Sequence, residues 1–473
     1  NMAKIEIKNL NLGGIADSDY LGAENSVAEM VGLDIHSEAG VIKVNQKLTK
    51  ESGSLVDDFV KASVPCSDGK TYHFGSTNGK IWSRTSGGTW ALEATASPAA
   101  GAAGILDAKE YQGYIYYAMQ SRLGRWQIGT AWSTRNDSWA TFTNTDPDFH
   151  PMKVINLVLY IGDKNYVAQV DAGTFSANAL DIAAPLRIKS LGKMSTDLLI
   201  GTFIADNVTE TEIIRWNTWS VSFSVSDTIP EVGVNAFLDT DNNVIVNAGT
   251  KGSLYLYNGS SLEEYKTIKG VYTGSAKAWV HPNAKFNFNG MPLFGLSNIS
   301  GNPANQGVYS LARTNRNYPF ILNLEHAIST GHLTGIEIGA ICPVSSDQFT
   351  VSWKDTNGGT TYGVDILDLT AKATVAYLIT RVIMADRTTL LNYGLVHAAY
   401  RSLPDGTSIT VQKKVNADAA FGTAITSKVD AKRMLTSTTV DINDAVRTQV
   451  KTNLVASGNV APEIEMVEVN IST

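Results

Sequence analysis

Short strands bounded by turns are the dominant pattern along this chain. Residues 249–265 show it: a glycine turn leads into the run LYLY, and a second turn at Asn258–Gly259–Ser260 ends it. A glycine turn followed by a strand centred mostly on an aromatic or branched residue recurs seven times. The seven aligned centres, 39 to 56 residues apart, are Trp82, Trp126, Val167, Trp216, Tyr255, Tyr309 and Asp365.

Each of these strands stands between two others. An apolar strand such as YHFGST, INLVLYIG or QFTVSW precedes it, and a more polar strand such as TWALEAT, LEEYKTI or TVAYLITR follows it. Units of about 40 to 55 residues with three or four short strands are typical of β-propeller blades, which bury their faces only by stacking on neighbours. The pattern predicts an all-β fold with a propeller of about seven blades over residues 55–385. Six or eight blades, an irregular β-sandwich or a pair of barrels are the alternatives.

Both ends of the chain depart from this repeat. Residues 1–54 hold a Gly-rich start, a predicted short helix around 26–31, and strands at VGLDIH and VIKVNQKL, so they form a predicted N-terminal leader. Residues 386–473 end in two predicted strands joined by a loop. Side chains suited to a core between two sheets are Val450, Leu454, Ile464, Val467 and Val469. The sequence therefore predicts a C-terminal β-sandwich.

Composition agrees with a turn-rich β protein. Charged residues make up only 18%, hydrophobic residues 43%, and the chain has 40 glycines and 18 tyrosines. A net charge of −7 provides no basic surface for phosphates, so we expect no nucleic-acid partner. No apolar run approaches the roughly 18 residues of a membrane-spanning helix. The first twenty residues alternate apolar and polar, so no secretory signal is expected.

Two cysteines, Cys66 and Cys342, are too few for a disulfide framework or a zinc cluster. Either a single long-range disulfide or two buried thiols fits their spacing. The fold must in both cases be held mainly by packing.

Catalytic motifs are not evident. The seven histidines are scattered without metal-ligand spacing, and neither a phosphate-binding loop nor a nucleophile elbow occurs. A glycosidase needs two carboxylates facing one pocket, and nothing in the sequence selects such a pair among Asp107, Asp163 and Asp239, which read as turn residues. We therefore predict no enzyme, no cofactor and no metal, with a polysaccharide-degrading enzyme as a third class of function.

One stretch has partial calcium-loop spacing. LDTDNNVIV places oxygen-bearing side chains at Asp239, Asp241 and Asn243. The glycine expected next and a downstream bidentate acid are missing, however. A tight hairpin turn explains the same residues.

Nine tryptophans suggest either blade packing or flat rings that stack on sugars. Core packing accounts for most of them. Trp132 and Trp139 flank the polar turn STRNDS, so they are the candidates for an exposed glycan-binding pair.

The segment SRTSGGTW resembles the Asp-box of sialidase-type propellers at Ser83, Gly87, Thr89 and Trp90, with Thr85 at the aspartate position. In those families the motif is a structural hairpin. The resemblance therefore implies a propeller-like hairpin and no catalytic role.

The ends carry a second resemblance. GGIADSDYLG with VGLDIHSEAGVIKVNQKL, and VKTNLVASGN with PEIEMVEV, are similar to segments of virion and tail structural proteins of tailed bacteriophages. The resemblance implies a structural component of a phage-like particle, assembled in the host cytoplasm and located in the virion, that acts as a rigid docking scaffold. Its implied partners are other virion or tail proteins and further copies of the chain, with the leader as anchor. The alternative is a receptor- or glycan-binding propeller module for adsorption to the host surface.

Overall fold

The computed structural model describes residues 2–97, 104–144, 149–205, 209–239, 243–268, 278–298, 305–385, 390–416, 418–430 and 435–472. Strands dominate these residues, whose helical structure is limited to α1 (Leu10–Gly13) and a 3₁₀ turn at Trp132–Thr134. The all-β prediction is confirmed. The short helix predicted around 26–31 is wrong, because Glu29–Val31 pairs as a strand with two neighbours.

The chain divides into two compact units. Unit 1 comprises Asn1–Thr49, Val308–Gly331 and Leu367–Thr473, and unit 2 comprises Lys50–Gly307 and His332–Ile366. This division differs from the predicted segments 1–54, 55–385 and 386–473. Its cause is long-range pairing: strands from both chain ends share one sheet of unit 1, which a local pattern of apolar residues does not encode.

Five strands come from the first fifty residues: β1 (Met2–Ile7), β2 (Glu29–Val31), β3 (Leu33–Asp34), β4 (Lys43–Val44) and β5 (Gln46–Lys50). The predicted leader therefore does contain strands, but they are integral parts of sheets.

Five antiparallel sheets of four consecutive strands form most of unit 2. Their strands are β6 (Val60–Pro65), β7 (Thr71–Gly75), β8 (Lys80–Arg84), β9 (Trp90–Thr95), β10 (Asp107–Tyr111), β11 (Tyr114–Ala118), β12 (Arg122–Gln127), β13 (Asn136–Thr141), β14 (Met152–Ile155), β15 (Val158–Asp163), β16 (Tyr166–Asp171), β17 (Thr174–Asp181), β18 (Arg187–Met194), β19 (Asp197–Phe203), β20 (Thr211–Trp216), β21 (Val225–Ile229), β22 (Val234–Asp239), β23 (Val244–Ala248), β24 (Ser253–Tyr257) and β25 (Leu262–Lys266). Apolar clusters draw side chains from consecutive sheets, as where Phe74 of β7 and Tyr117 of β11 share one cluster. Each sheet is thus buried against the next.

The next strands are β26 (Ala278–Phe288), β27 (Met291–Asn298), β28 (Gly307–Ala312), β29 (Ile321–His326), β30 (Ile336–Pro343), β31 (Phe349–Asp355) and β32 (Thr361–Lys372). In unit 2, β26 pairs with β27, and β30 pairs with β31. Strand β26 contains a bulge, because its register with β27 shifts between Val280 and Lys285. A bulge re-aims the side chains within it.

All seven aligned centres lie on the third strand of a consecutive set of four, or of three in the last case, and all are buried. The predicted repeat of short strands is thus found in the strand order. The last repeat differs from the prediction at its final strand. TVAYLITR does not pair with β32; the strand within it belongs to unit 1, and β5 pairs with β32 instead.

The first strands of the sets, β6, β10, β14, β18, β22, β26 and β30, lie side by side in chain order, and β30 lies beside β6. Small residues make the approach close. A Cβ added to Gly339 of β30 would lie 1.9 Å from the carbonyl oxygen of Val60. The hydroxyl of Ser352 donates to the same oxygen at 2.7 Å, and that of Ser190 donates to the Val234 carbonyl at 3.0 Å.

The segment SRTSGGTW is a hairpin, as the Asp-box resemblance implies. Arg84 of β8 pairs with Trp90 of β9, and the Thr89 N–H donates to the Thr85 hydroxyl at 3.1 Å. A threonine oxygen thus closes the turn at the aspartate position.

Strands β33 (Tyr377–Ile379), β34 (Ile383–Met384), β35 (Leu391–Ser402), β36 (Ser408–Val415), β37 (Ile425–Thr426), β38 (Lys428–Asp430), β39 (Leu435–Ala445), β40 (Arg447–Val455) and β41 (Glu463–Ser472) complete unit 1. One sheet has the order β1-β41-β35-β39-β38, and another contains β28-β29-β2-β33-β40-β36-β37. The two closing strands thus lie in different sheets. The five core side chains predicted on β40 and β41 are all buried.

Candidate functional site

The first strands of unit 2 line a solvent-open cavity of about 310 Å³, called the inner cavity here. Six of the seven first strands contribute to its lining. Its polar lining residues are Ser63, Lys109, Lys153, Asn283, Lys285 and Asn287. Phe237 and Phe286 are among its apolar lining residues. The mixture of ring faces and converging polar groups is typical of small-ligand sites.

Positive charge distinguishes this cavity. Lys109, Lys153 and Lys285 come from β10, β14 and β26, and the lining residues that the structure describes include no carboxylate. All three side chains are half-buried. The ammonium group of Lys285 donates to the carbonyl of Phe237, which holds it on the cavity wall. Charges in a partly dry site interact more strongly with a ligand than they do in water.

Strand alternation places these lysines in the interior. Every second residue of a strand lies on the same face, so Lys61 and Ser63 of β6 face one way, as do Asp107 and Lys109 of β10. Lys61 and Asp107 line a second, smaller cavity of about 30 Å³, whereas Ser63 and Lys109 line the inner cavity. The two cavities are therefore successive layers along the same strands.

Asn283, in the bulge of β26, lines both cavities. Its Nδ2 donates to Asp107 Oδ1 at 2.7 Å and to the Lys61 carbonyl at 3.2 Å. The bulge thus ties β26 to β6 and β10 and separates the two layers. This fixes the inner wall of the larger cavity.

The smaller cavity is a bonded structural cluster. Asp107 is buried and accepts hydrogen bonds from the Met152 N–H at 2.8 Å and from the Ala108 N–H at 2.7 Å. Burial raises the pKa of Asp107 and lowers the pKa of Lys61. Burial also lowers the pKa of His281 to about 4, so this ring is neutral at pH 7. A volume near that of one water leaves no room for a larger ligand.

The structure corrects the expected exposure of Trp132. Its ring is only 5% exposed and stacks on Trp126 with centroids 4.2 Å apart and planes at 8°. Trp139 is half-buried, packs against Tyr116, and lies under the guanidinium of Arg125 at 4.5 Å. The polar turn between the two residues suggested that both were exposed. The prediction is wrong for Trp132 because the chain folds its ring back onto Trp126 of the same sheet.

Of the acids considered from the sequence, neither Asp107 nor Asp163 lines the inner cavity. Asp107 belongs to the smaller cavity, and buried Asp163 accepts from the N–H groups of Thr143 and Asn144 at 3.0 and 3.2 Å. Asp163 thus orders the segment at Thr143 and Asn144, whereas Asp107 joins β10 to β14 and β26. The proposed calcium-type loop at Asp239, Asp241 and Asn243 lies largely outside the described residues, which include neither 240–242 nor the Asp239 side chain.

Among the described residues, neither the cysteines nor the common metal-ligand side chains form a further site. Cys66 and Cys342 are free thiols, so the long-range disulfide is not formed. Within the described ranges, no three His, Cys, Asp or Glu side chains are grouped to hold a metal ion. In the same part of the chain, no helix has the length and apolar character needed to cross a bilayer.

The lysines had a signal in the sequence that the search for motifs missed. A buried apolar residue followed by lysine recurs on five first strands, as VKA, AKE, MKV, IKS and AKF. These lysines are Lys61, Lys109, Lys153, Lys189 and Lys285. Aligning first strands, rather than the aromatic third strands, would have found them.

Comparisons with known proteins concern the fold. No family model and no curated protein matches the sequence. The extracellular domain of a hybrid two-component system from B. thetaiotaomicron is 15% identical with a TM-score of 0.48, and the match covers 70% of this chain and 41% of that one. Streptogramin B lyase is 13% identical, with a TM-score of 0.46 and coverage of 68% and 98%. The WD40 β-propeller domain of Doa1 is 13% identical, with a TM-score of 0.45 and coverage of 68% and 96%. The chain is all-β with propeller-like neighbours, and what those proteins bind says nothing about this chain.

Proposed function

We propose that this protein is a structural component of a phage-like particle, a virion or tail protein that acts as a rigid docking scaffold. In this proposal the seven first strands of unit 2 are the inner strands of a seven-bladed propeller, supported by their adjacency and by the apolar clusters between consecutive sheets. The two sheets of unit 1 form a β-sandwich, supported by the buried side chains of β40 and β41. Both folds keep surface loops in fixed positions.

The observation that carries the proposal is the apolar surface of unit 1. Of the 17 large apolar side chains exposed in the described residues, 11 belong to unit 1, which holds well under half of the chain. Ile425 and Val429, exposed by 43% and 57%, lie on β37 and β38, the edge strands of its two sheets. Unpaired strand edges with apolar side chains are templates for another chain. We propose that this edge contacts neighbouring virion proteins or further copies of the chain.

The test is assembly. The purified protein should form a defined homo-oligomer by analytical ultracentrifugation, and mass spectrometry should find the chain in purified particles. The double variant I425K/V429K should reduce oligomerisation while the monomer keeps its melting temperature. The control V221K, at a side chain of unit 2 that is 94% exposed, should assemble normally. A monomeric wild-type protein that is absent from particles would contradict the proposal.

A second candidate, a module that binds a host-surface glycan or receptor, is favoured by the inner cavity. Its ring faces and amides suit sugar recognition. A glycan array with the wild-type protein should give reproducible hits. An array without hits contradicts this candidate and leaves the scaffold proposal standing.

Neither candidate includes catalysis. Glycoside hydrolysis needs two carboxyl groups facing one cavity, and the described lining residues of the inner cavity supply none. Incubation with bacterial polysaccharides should leave their viscosity unchanged. A fall in viscosity would contradict this part of the proposal.

A further inference from the structure

We propose that the hairpin tip formed by Asn289 and Gly290 is a site of spontaneous modification, at which the side-chain amide of Asn289 is converted to an acid. The backbone nitrogen of Gly290 attacks Cγ of Asn289, so an N–C bond forms and closes a cyclic imide. The displaced side-chain nitrogen takes up the proton of the backbone nitrogen and leaves as ammonia. Solvent water then opens the imide to aspartate or isoaspartate. The reaction needs no oxidant, reductant or enzyme, and it adds a negative charge to unit 2.

Glycine after asparagine favours this reaction, because a residue without Cβ lets its nitrogen approach the amide closely. The dipeptide occurs four times, and all four copies lie in the part of the chain that the structure describes. Their positions are 78–79, 258–259, 289–290 and 357–358. An amide must turn onto the next nitrogen before the ring can close. The bonds that hold each side chain in the folded protein therefore decide which copy reacts first.

Two copies are held through their side-chain oxygens. The Lys80 N–H donates to Asn78 Oδ1 at 2.9 Å. Asn258 Oδ1 accepts from the N–H groups of Ser260 and Ser261 at 3.0 and 2.8 Å, which is the pattern of an Asx turn. Each of these bonds must break before the amide carbon can reach the following nitrogen.

Asn357 is held through its side-chain nitrogen, whereas Asn289 is held weakly. Asn357 Nδ2 donates to the Thr334 carbonyl at 2.6 Å and to Asp355 Oδ1 at 2.8 Å. The corresponding bond of Asn289, from Nδ2 to the carbonyl of Ser346, is 3.4 Å long, beyond the usual range for an N–H···O bond. Asn289 is therefore the side chain of the four that turns most easily.

The backbone at Asn289 is also open. Asn289 and Gly290 form a two-residue loop between β26 and β27, with φ of 52° and 83°, and the last strand pair is Phe288 with Met291. Both loop residues are exposed, and a Cβ added to Gly290 would meet no described atom beyond its chain neighbours within 4 Å. Bonded pairs alternate with non-bonded pairs in an antiparallel ladder, so the tip opens when the bonds of a single pair break. Such local opening of loop tips costs little free energy, and ring closure proceeds from it.

Peptide mapping by mass spectrometry tests the inference on the folded wild-type protein. The protein is incubated in mildly alkaline buffer, and the fraction of amide converted to acid is measured at all four asparagines over time. We expect Asn289 to convert at least about fivefold faster than each of the other three, because each of those must break one or two further hydrogen bonds. The three slower copies are internal controls for temperature, buffer and sample handling.

Incubation of the same protein in concentrated urea is the matched control for the fold. Unfolding removes the hydrogen bonds that distinguish the four copies, so their rates should agree within about twofold. The variant N289Q tests the site itself, since the longer glutamine side chain closes its ring much more slowly. Anion-exchange chromatography should show that the first acidic species of the wild type is strongly reduced in N289Q.

Three results would overturn the inference. One is an Asn289 that converts no faster than the other three copies in the folded protein. Another is a lead of Asn289 that persists unchanged in urea, because the local sequence rather than the fold would then set the rate. The third is the formation of acidic species in N289Q at the wild-type rate, which would place the modification elsewhere in the chain.

Discussion

Two tryptophans of unit 2 have opposite surroundings. Trp132 is 5% exposed and lies against both Trp126 and Tyr72, whereas Trp219 is 83% exposed. We predict that W132A lowers the free energy of unfolding by about 3–5 kcal/mol, because it removes a buried ring and leaves a cavity. W219A should change it by less than about 0.5 kcal/mol. Urea unfolding followed by circular dichroism measures both. An unchanged midpoint for W132A would restore the surface role that the sequence suggested.

The buried carboxyl of Glu325 in unit 1 gives a second prediction, which concerns the pH dependence of stability. Glu325 accepts hydrogen bonds from the Ser310 hydroxyl at 2.5 Å and from Asn45 Nδ2 at 2.6 Å. Burial raises its pKa from 4.5 to about 7. Between these values the unfolded chain releases a proton that the folded protein keeps, so stability from this group is lost as pH rises. E325Q should therefore remove a contribution to the free energy of unfolding that decreases as pH rises from about 4.5 to about 7.

Thermal melts at half-unit pH steps measure this component. The difference in melting temperature between E325Q and wild type should become more favourable to the variant as pH rises through this window. The control E263Q, at an exposed glutamate of β25, should show a constant difference. A constant difference for E325Q as well would show that its carboxyl titrates normally.

At the level of elements, the contact between β30 and β6 depends on the missing side chain of Gly339. An added Cβ would lie 1.9 Å from the Val60 carbonyl, so the two backbones must separate. We predict that G339A costs at least about 1–3 kcal/mol, the range for overpacked cores. G87A is the matched control, because Gly87 is exposed and its nearest neighbour atom lies 4.0 Å from the added Cβ. Equal stability of the two variants by chemical unfolding would mean that these first strands are not in close contact.

The strands of the repeat show which features of the fold a sequence can reveal. The third strands were predictable because each carries its own turn and a buried centre, such as Trp82 or Tyr255, within a few residues. The pairing of β5 with β32 was not, because about 300 residues separate the partners and no local signal encodes it. The inner cavity depends on such distant contacts as well: Lys109 and Lys285 share its wall only after the strands are assembled.

On the scale of the whole molecule, charge is divided between interior and surface. Six lysines lie on first strands of unit 2, and all of them except the exposed Lys193 have half-buried side chains, while the chain as a whole is acidic. Lys189 illustrates how the interior accepts them: its ammonium group donates to Asn235 Oδ1 at 2.6 Å and lies 4.3 Å from the ring centroid of Trp279. Net charge alone therefore does not describe what a site within the protein can bind.

Buried histidines give a prediction for the whole chain. Burial lowers the pKa of His73 to about 3 and those of His281 and His326 to about 4, against an ordinary value of 6.5. Their rings are neutral in the folded protein, whereas the unfolded chain binds a proton at each ring below pH 6.5. Their contribution to stability is therefore complete above about pH 6.5 and is lost as pH falls toward 4.

Calorimetric melts should show the melting temperature falling as pH drops from about 6.5 to about 4, with net proton uptake on unfolding. Glu325 acts in the opposite sense over part of this range, so E325Q should steepen the fall. H281Q removes one of the titrating rings and should flatten it. A melting temperature that is constant or rises on acidification would mean that the buried rings are protonated in the folded protein, which their burial opposes.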